Sequence, residues 1–164
     1  MILKVSVLNI EKLLAKLEKF GEQIKPDLQE VIKGGGQLIR GEAIKSIQTG
    51  AKSGVVYQKY NPKRTHRASA PGQSPASDTG NLVSNIIVKQ KDSNIVEVQS
   101  NANYSAYLEF GTSKMQPRPF MFPAFEVSKQ PIIQATMNRV KKKIEEMAEW
   151  PIFQLRYKQQ YMML

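Results

Sequence analysis

The chain contains the residue types of a nucleophilic triad within one short segment: His66, Asp78, Ser69, Ser74 and Ser77. In a triad the histidine must accept a proton from a nucleophile that is held about 3 Å away on a rigid frame. A segment rich in Pro, Gly and Ser supplies no such frame. The neighbouring Arg64 and Arg67 would also disfavour a protonated imidazole. The sequence therefore predicts no catalytic residue.

The sequence also lacks the residues that a metal site or a phosphate-binding loop would require. The chain has no cysteine and a single histidine, and zinc sites are built mostly from these two residue types. Gly36 and Gly41 have the spacing of a phosphate-binding loop, but Glu42 and Ala43 follow where a lysine and a hydroxyl residue are needed. We expect no cofactor, and we interpret Gly34–Gly36 as a packing feature.

The positive charge is concentrated in one segment. The chain carries a formal net charge of +10. Residues 51–77 contain cations and no acid: Lys52, Lys59, Lys63, Arg64 and Arg67. The same segment is rich in Gly, Pro and Ser, which predicts a long, flexible, exposed loop. Two interpretations stay open, namely contact with DNA or another anionic partner, and a solvated loop that serves solubility.

The length of 164 residues favours one domain, which we place at residues 1–150 with a tail at 151–164. No apolar run approaches the roughly 18–20 residues of a membrane span. The first residues lack the cleavage site of a signal peptide. The absence of cysteine fits a cytoplasmic product.

Hydrophobic spacing predicts the first elements. Leu3, Val5 and Val7 alternate with polar residues, as in a strand, and Asn9 can cap a long helix from Ile10. Pro26 suits the first position of a second helix, or a kink. At the glycine cluster 34–36, either the helix is broken or another backbone packs closely against it.

The second half predicts a hairpin and two further helices. Short β-rich runs at 86–89 and 95–98 flank a turn, after a short helical turn at 81–85. A brief helix at 103–110 ends at Gly111, and Pro123 can open the last long helix. The predicted class is α+β: a small antiparallel sheet, made of the N-terminal strand and the hairpin, packed with long N-terminal and C-terminal helices.

Aromatic rings recur across residues 102–125, at these positions: Tyr104, Tyr107, Phe110, Phe120, Phe122 and Phe125. They could fill the core or form a subunit interface, and both alternatives stay open. Glu109 and Arg118 could form an ion pair that pins the turn, because the flanking prolines restrict Arg118.

Residues 69–88 and 101–126 together resemble the paired signatures of the gene-product-ten family of tail components, found in long-tailed bacteriophages of the HK type and in prophages. Ser105 stands where alanine is more usual in that family. The matching positions are Ala70, Pro71, Gly72, Pro75, Thr79, Gly80, Asn81, Leu82, Tyr104, Tyr107, Leu108, Glu109, Phe110, Gly111, Thr112, Arg118, Pro119, Phe120, Pro123 and Ala124.

The resemblance implies a structural virion protein that completes the tail at the neck, where head and tail join. It implies assembly into a ring of identical subunits that contacts other neck and tail proteins. It also implies a location in the virion, with a stay in the host cytoplasm during assembly. From the residues themselves we expect no enzymatic activity, no cofactor and no membrane partner. The alternative is a nucleic-acid-binding module that uses the basic 51–77 segment on phage DNA.

Overall fold

The computed structural model describes residues 10–148, which form helices and two antiparallel hairpins. The helices are α1 (Ile10–Thr49), α2 (Asn81–Ser84), α3 (Ser105–Phe110) and α4 (Met121–Ala148); the strands are β1 (Val56–Tyr60), β2 (Lys63–Arg67), β3 (Ile86–Asp92) and β4 (Ile95–Ser100). The α+β class with its two long helices is confirmed. The predicted strand at Leu3, Val5 and Val7, the cap at Asn9 and the tail at 151–164 lie outside the described residues.

The chain divides into two compact units. One contains α1 up to Glu30 together with α4 from Ala135, and the other contains Val31–Gln134. In the first unit Arg139 joins the two helices, because its guanidinium lies 3.1 Å from Glu30 and 3.8 Å from Asp27. The single domain at 1–150 stays a prediction.

Helix α1 runs unbroken for 40 residues, through Pro26 and through the glycine cluster. The second helix at Pro26 and the break at Gly34–Gly36 are therefore wrong. Gly36 is buried, and a Cβ atom placed on it would lie 2.6 Å from Val96 Cγ1 of β4. The alternative, close packing at this point, is formed by side chains and not by another backbone. Because this packing holds the segment in place, it offsets the low helix propensity of glycine.

The core lies in the second unit and consists of buried apolar side chains: Ala43, Ile47, Leu82, Ile86, Ala102, Phe120 and Ala124. The hairpin β3–β4 was predicted, and its register pairs Ile86 with Ser100 and Val88 with Val98. Arg40 Nε of α1 donates a 2.8 Å hydrogen bond to the carbonyl of Ile86. Helix α1 and the hairpin are thus joined by both apolar packing and a polar contact.

The prediction that residues 51–77 form a loop without secondary structure is wrong. The segment contains the hairpin β1–β2, in which Val56 pairs with Arg67 and Tyr60 with Lys63. The surrounding Gly, Pro and Ser residues concealed a short run with high strand propensity, Val55–Tyr57. The mobility of the segment stays a prediction.

Candidate functional site

The turn between α3 and α4 is built around Gly111. This residue ends α3 with φ 78°, and its N–H donates to the Tyr107 carbonyl at 2.9 Å. A Cβ atom here would lie 2.7 Å from the Met115 carbonyl oxygen, so only glycine fits without movement. Thr112 and Met115 then exchange backbone hydrogen bonds of 2.8 and 3.3 Å. The predicted helix end at Gly111 is confirmed, and the turn is tightly closed.

Glu109 caps the N-terminus of α4. Its Oε2 accepts hydrogen bonds from the backbone N–H groups of Phe120 (2.8 Å) and Met121 (3.0 Å), and its Oε1 accepts one from Phe122 (2.9 Å). The next residue is Pro123, which has no N–H to satisfy. One carboxylate therefore serves every free donor at this helix end, where negative charge is also favoured by the helix dipole.

The predicted ion pair between Glu109 and Arg118 is wrong. The carboxylate is occupied by the backbone donors of α4, which stand in fixed positions. The backbone N–H of Arg118 donates to the Leu108 carbonyl at 2.7 Å. The guanidinium makes no hydrogen bond or ion pair with the described residues, and its Nε is buried without a partner. Sequence spacing indicated the right neighbourhood but the wrong partners.

The aromatic side chains on α3, on α4 and in the turn between them divide into one that is buried and several that are exposed. Phe120 is 1% exposed and lies in the core, and Pro119 before it is half-buried. The others are exposed to these fractions: Tyr104 41%, Tyr107 59%, Phe110 78%, Phe122 65% and Phe125 43%. Core packing thus accounts for Phe120 alone, and a rigid segment holds five aromatic rings toward solvent.

The two halves of the sequence signature lie together in the structure. Gly72 donates its N–H to the Pro117 carbonyl at 2.9 Å, and Asn81 Nδ2 donates to the Tyr104 hydroxyl at 3.1 Å. Gly80, with φ 79°, leads into α2, whose Leu82 is buried in the core. Thr79 is exposed beside this turn, and its hydroxyl accepts a 3.4 Å bond from the Asn81 N–H. Residues 70–82 therefore support the turn between α3 and α4.

Two of the five cations predicted to touch DNA or a partner are bound to Asp78. Arg64 Nη2 lies 2.6 Å from Asp78 Oδ1, and Lys59 donates to Oδ2. The hydrogen bond from Lys59, with the charges of Arg64 and Lys59, holds the pKa of the Asp78 carboxyl below its ordinary value against the opposing effect of burial. Sequence reasoning missed this anchor because the acid-free segment it considered ended at Ser77.

A third cation, Lys52, is also engaged inside the protein. Its Nζ donates to the carbonyls of Ser74 (2.7 Å) and Ser46 (3.1 Å), the latter close to the C-terminal end of α1. A cation is favoured there by the helix dipole, and burial lowers the pKa of Lys52. Lys63 and Arg67 are exposed, and neither forms an ion pair with any described residue. Contact of this segment with DNA stays a prediction, with two free cations instead of five.

We expect Asp78→Asn to loosen the β1–β2 hairpin, because a neutral amide cannot hold Lys59 and Arg64 by charge-assisted bonds. Trypsin should then cut faster at these two residues than in the wild type. The matched control is Asp92→Asn, which removes the same charge from a position whose side chain accepts a local hydrogen bond from the adjacent Ser93 N–H. Equal cleavage in the two variants would show that Asp78 does not anchor the hairpin.

Asp78 also predicts the pH dependence of this hairpin. Because its pKa is lowered by folding, the stabilisation is complete above the ordinary value of 3.8 and is lost as the pH falls through the lower folded pKa. The protection factors of the amides in β1 and β2, which correct for the slower intrinsic exchange in acid, should therefore fall as the pH falls through this range. In the Asp78→Asn variant they should not show this fall.

The residue types of a triad do not assemble into one. His66 Nδ1 lies 3.8 Å from Asp78 Oδ1, longer than a hydrogen bond, and Asp78 is already shared by Lys59 and Arg64. Within residues 10–148, no group of three or more His, Asp or Glu side chains is placed to hold a metal ion. None of the helices described there is long and apolar enough to cross a membrane.

Glu109 caps α4 and Asp78 holds the β1–β2 hairpin, so both carboxylates are engaged in structural contacts. The chain belongs to the HK97-gp10-like family, described as "Bacteriophage HK97-gp10, putative tail-component", whose model matches residues 11–111. It is thus a structural tail component of a bacteriophage, which places it in the virion among other phage proteins.

The family match includes the Thr79–Leu82 and Tyr104–Gly111 elements and ends before Arg118, so the resemblance of the Arg118–Phe120 element stays a prediction. No curated protein and no solved structure matches the chain.

Proposed function

We propose that the chain is a neck protein that completes the tail of a long-tailed phage or prophage at the head–tail junction, through assembly into a ring. The supporting observation is the set of exposed aromatic rings on either side of the turn between α3 and α4, on α3 and at the start of α4. Phe110 and Phe122 are 78% and 65% exposed on a segment that Glu109 and Gly111 hold in place. Large exposed apolar surface of this kind marks contact sites on soluble proteins.

Rigid aromatic side chains suit a subunit contact. They bury a large apolar area and lose little conformational entropy, and the cores of interfaces are enriched in them. Burial of one such side chain contributes about 1.5–3 kcal/mol. If the aromatic side chains of each subunit contact the next subunit in the same way, and the rotation between neighbours divides a full turn, the subunits form a closed ring. We therefore assign the rings to the interface between identical subunits.

This role requires no enzymatic activity and no cofactor. Glu109 and Asp78, which could have served as acids or bases, are held by backbone amides and by cations respectively. The protein would act in the virion neck after assembly in the host cytoplasm, with other neck and tail proteins as partners. A nucleic-acid-binding module is less well supported, because Lys52, Lys59 and Arg64 are engaged internally.

The test is the mass of the intact particle in solution, measured by native mass spectrometry and light scattering. Alone or in the presence of the neck and tail proteins of its phage, the wild type should form a ring. The mass of that ring should be a whole-number multiple of the single-chain mass. The double variant Phe110→Ser/Phe122→Ser should keep its melting temperature, since both rings are exposed. Its assembly should weaken by about 100-fold or more, because two buried rings are lost from each contact.

The matched control is Tyr60→Ser, which removes an aromatic side chain that is 82% exposed but lies in β1, away from the turn. It should assemble as the wild type does. A wild type that stays monomeric both alone and with its partners would contradict the ring. Equal assembly of both variants would place the interface elsewhere.

A further inference from the structure

A cavity of about 280 Å³ lies between residues 66–82 and the turn that joins α3 to α4. Its polar wall includes Asp78, Thr79, Asn81, Tyr104 and Arg118. The apolar wall includes Leu82 and Leu108. Both halves of the sequence signature therefore contribute to one concave site. The capping of α4 by Glu109 and the exposed aromatic rings do not account for a cavity at this place.

Arg118 is the unusual group in this wall. Its Nε is buried and has no hydrogen-bond partner, and the guanidinium has no ion pair among the described residues. A buried donor without a partner is costly, and more so when it is charged. The backbone of Arg118 is fixed by its bond to Leu108 and by the two adjacent prolines. The backbone of this residue is thus fixed, and no group in the described chain accepts a hydrogen bond from its Nε.

The charge around the cavity favours an anion. Asp78 is the carboxylate in the wall, and it is neutralised by Lys59 and Arg64. Lys59 and Arg64 do not line the cavity, but they offset the charge of Asp78, so Arg118 leaves the wall with a positive balance. Asn81 Nδ2 and the Tyr104 hydroxyl add neutral hydrogen-bonding groups to the same wall. An incoming anion would therefore meet a net attraction despite Asp78.

We propose that this cavity binds a carboxylate from another virion protein, supplied by an acidic side chain or by a chain terminus. A planar carboxylate matches the fork of donors on a guanidinium, and the apolar wall suits the methylene groups behind it. A phosphate of duplex DNA is less suitable. Its sugar neighbours and the duplex behind it would keep it from entering a concave site, whereas a side chain can reach in. The assignment rests on the proposed function only for the source of the carboxylate.

The experiment follows the Nε–H resonance of Arg118 by NMR in the isotope-labelled full chain. Two carboxylate probes distinguish the sources: N-acetyl-glutamate amide stands for a side chain, and N-acetyl-alanine stands for a terminus. At least one should shift the Arg118 resonance in a saturable way, without moving the Nε–H resonance of Arg139, which is already paired with Asp27 and Glu30. A short DNA duplex, as a third probe, should act more weakly.

Two variants test the site itself. Arg118→Lys keeps the charge but loses the fork, and the affinity for the better probe should fall about tenfold. Asn81→Asp keeps Arg118 and adds a second carboxylate to the wall, at an exposed position where the Tyr104 hydroxyl can donate to the new carboxylate in place of the lost Asn81 bond; its affinity should fall likewise. Arg139→Lys, the matched control in the first unit, should bind as the wild type does.

No saturable shift of Arg118 with either carboxylate probe would overturn the proposal. A stronger response to the DNA duplex would overturn it in favour of a phosphate site. The particle mass of the same samples reports separately on the ring. A chain that assembles but binds neither probe would refute the carboxylate site alone, and a chain that binds but stays monomeric would refute the ring alone.

Discussion

Replacing Glu109 with alanine is expected to lower the free energy of unfolding by about 3 kcal/mol or more. The change leaves three backbone N–H groups at the start of α4 without an acceptor, and hydrogen bonds to a charged group contribute about 1.5–3 kcal/mol each, with water replacing part of the loss. Globular domains are stable by only about 5–15 kcal/mol, so the fold would be seriously weakened. Urea unfolding followed by circular dichroism measures the difference.

Two companion variants separate capping from charge. Glu126 lies in α4, and its carboxylate forms an exposed 4.0 Å ion pair with Lys129. Glu126→Ala removes this carboxylate and should lower the free energy of unfolding by less than about 1 kcal/mol. Glu109→Gln keeps one acceptor oxygen and should fall between the two. If Glu109→Ala were no more harmful than Glu126→Ala, the turn would be held by Gly111 and its backbone bonds instead.

Local patterns predicted the local elements. The β-rich runs at 86–89 and 95–98 and the polar turn between them indicate the hairpin β3–β4, because pairing between neighbouring strands needs only strand propensity and a turn. Gly111 predicted the end of α3, since its positive φ is rare for any residue with a Cβ. These features depend on residues close in sequence.

The contacts that define the site depend on residues far apart in sequence. Glu109 reaches backbone donors eleven to thirteen positions away, and backbone amides leave no trace in residue type. Lys59 reaches Asp78 across 19 positions. A carboxylate shortly before a helix start, and an acid just after a basic segment, are signals that could have found both contacts. These signals indicate candidate partners, but they do not show which of the possible contacts forms.

The glycine cluster of α1 is a second case in which the sequence does not reveal contacts with residues far along the chain. Sequence alone predicts that each glycine weakens a helix to a similar extent. The structure separates them, because a Cβ atom placed on Gly34 would have no described neighbour within 4 Å, whereas one on Gly36 would face two valines. Their roles are therefore set by β3 and β4, which lie more than fifty residues further along the chain.

Substituting alanine at these two glycines should change stability in opposite directions. Gly34→Ala is expected to raise the free energy of unfolding by about 1 kcal/mol, through better helix propensity in open space. Gly36→Ala should lower it by about 1–3 kcal/mol, because the new Cβ would lie 2.6 Å from Val96 Cγ1 and 3.0 Å from Val88 Cγ1, well inside the roughly 3.5–4.0 Å optimum for carbon contacts. Valine is stiff about χ1 and cannot easily turn away.

The rescue is the double variant Gly36→Ala/Val96→Ala, which removes the closest of these methyl groups. It should be more stable than the sum of the two single changes predicts, with a coupling of about 0.5–3 kcal/mol in a double-mutant cycle measured by urea unfolding. Gly34→Ala/Val96→Ala is the matched control and should be additive, since a Cβ atom placed on Gly34 would have no described side chain within 4 Å. If Gly36→Ala stabilised the protein as Gly34→Ala does, the hairpin would not pack on this face of α1, and the glycine would have no structural reason to be there.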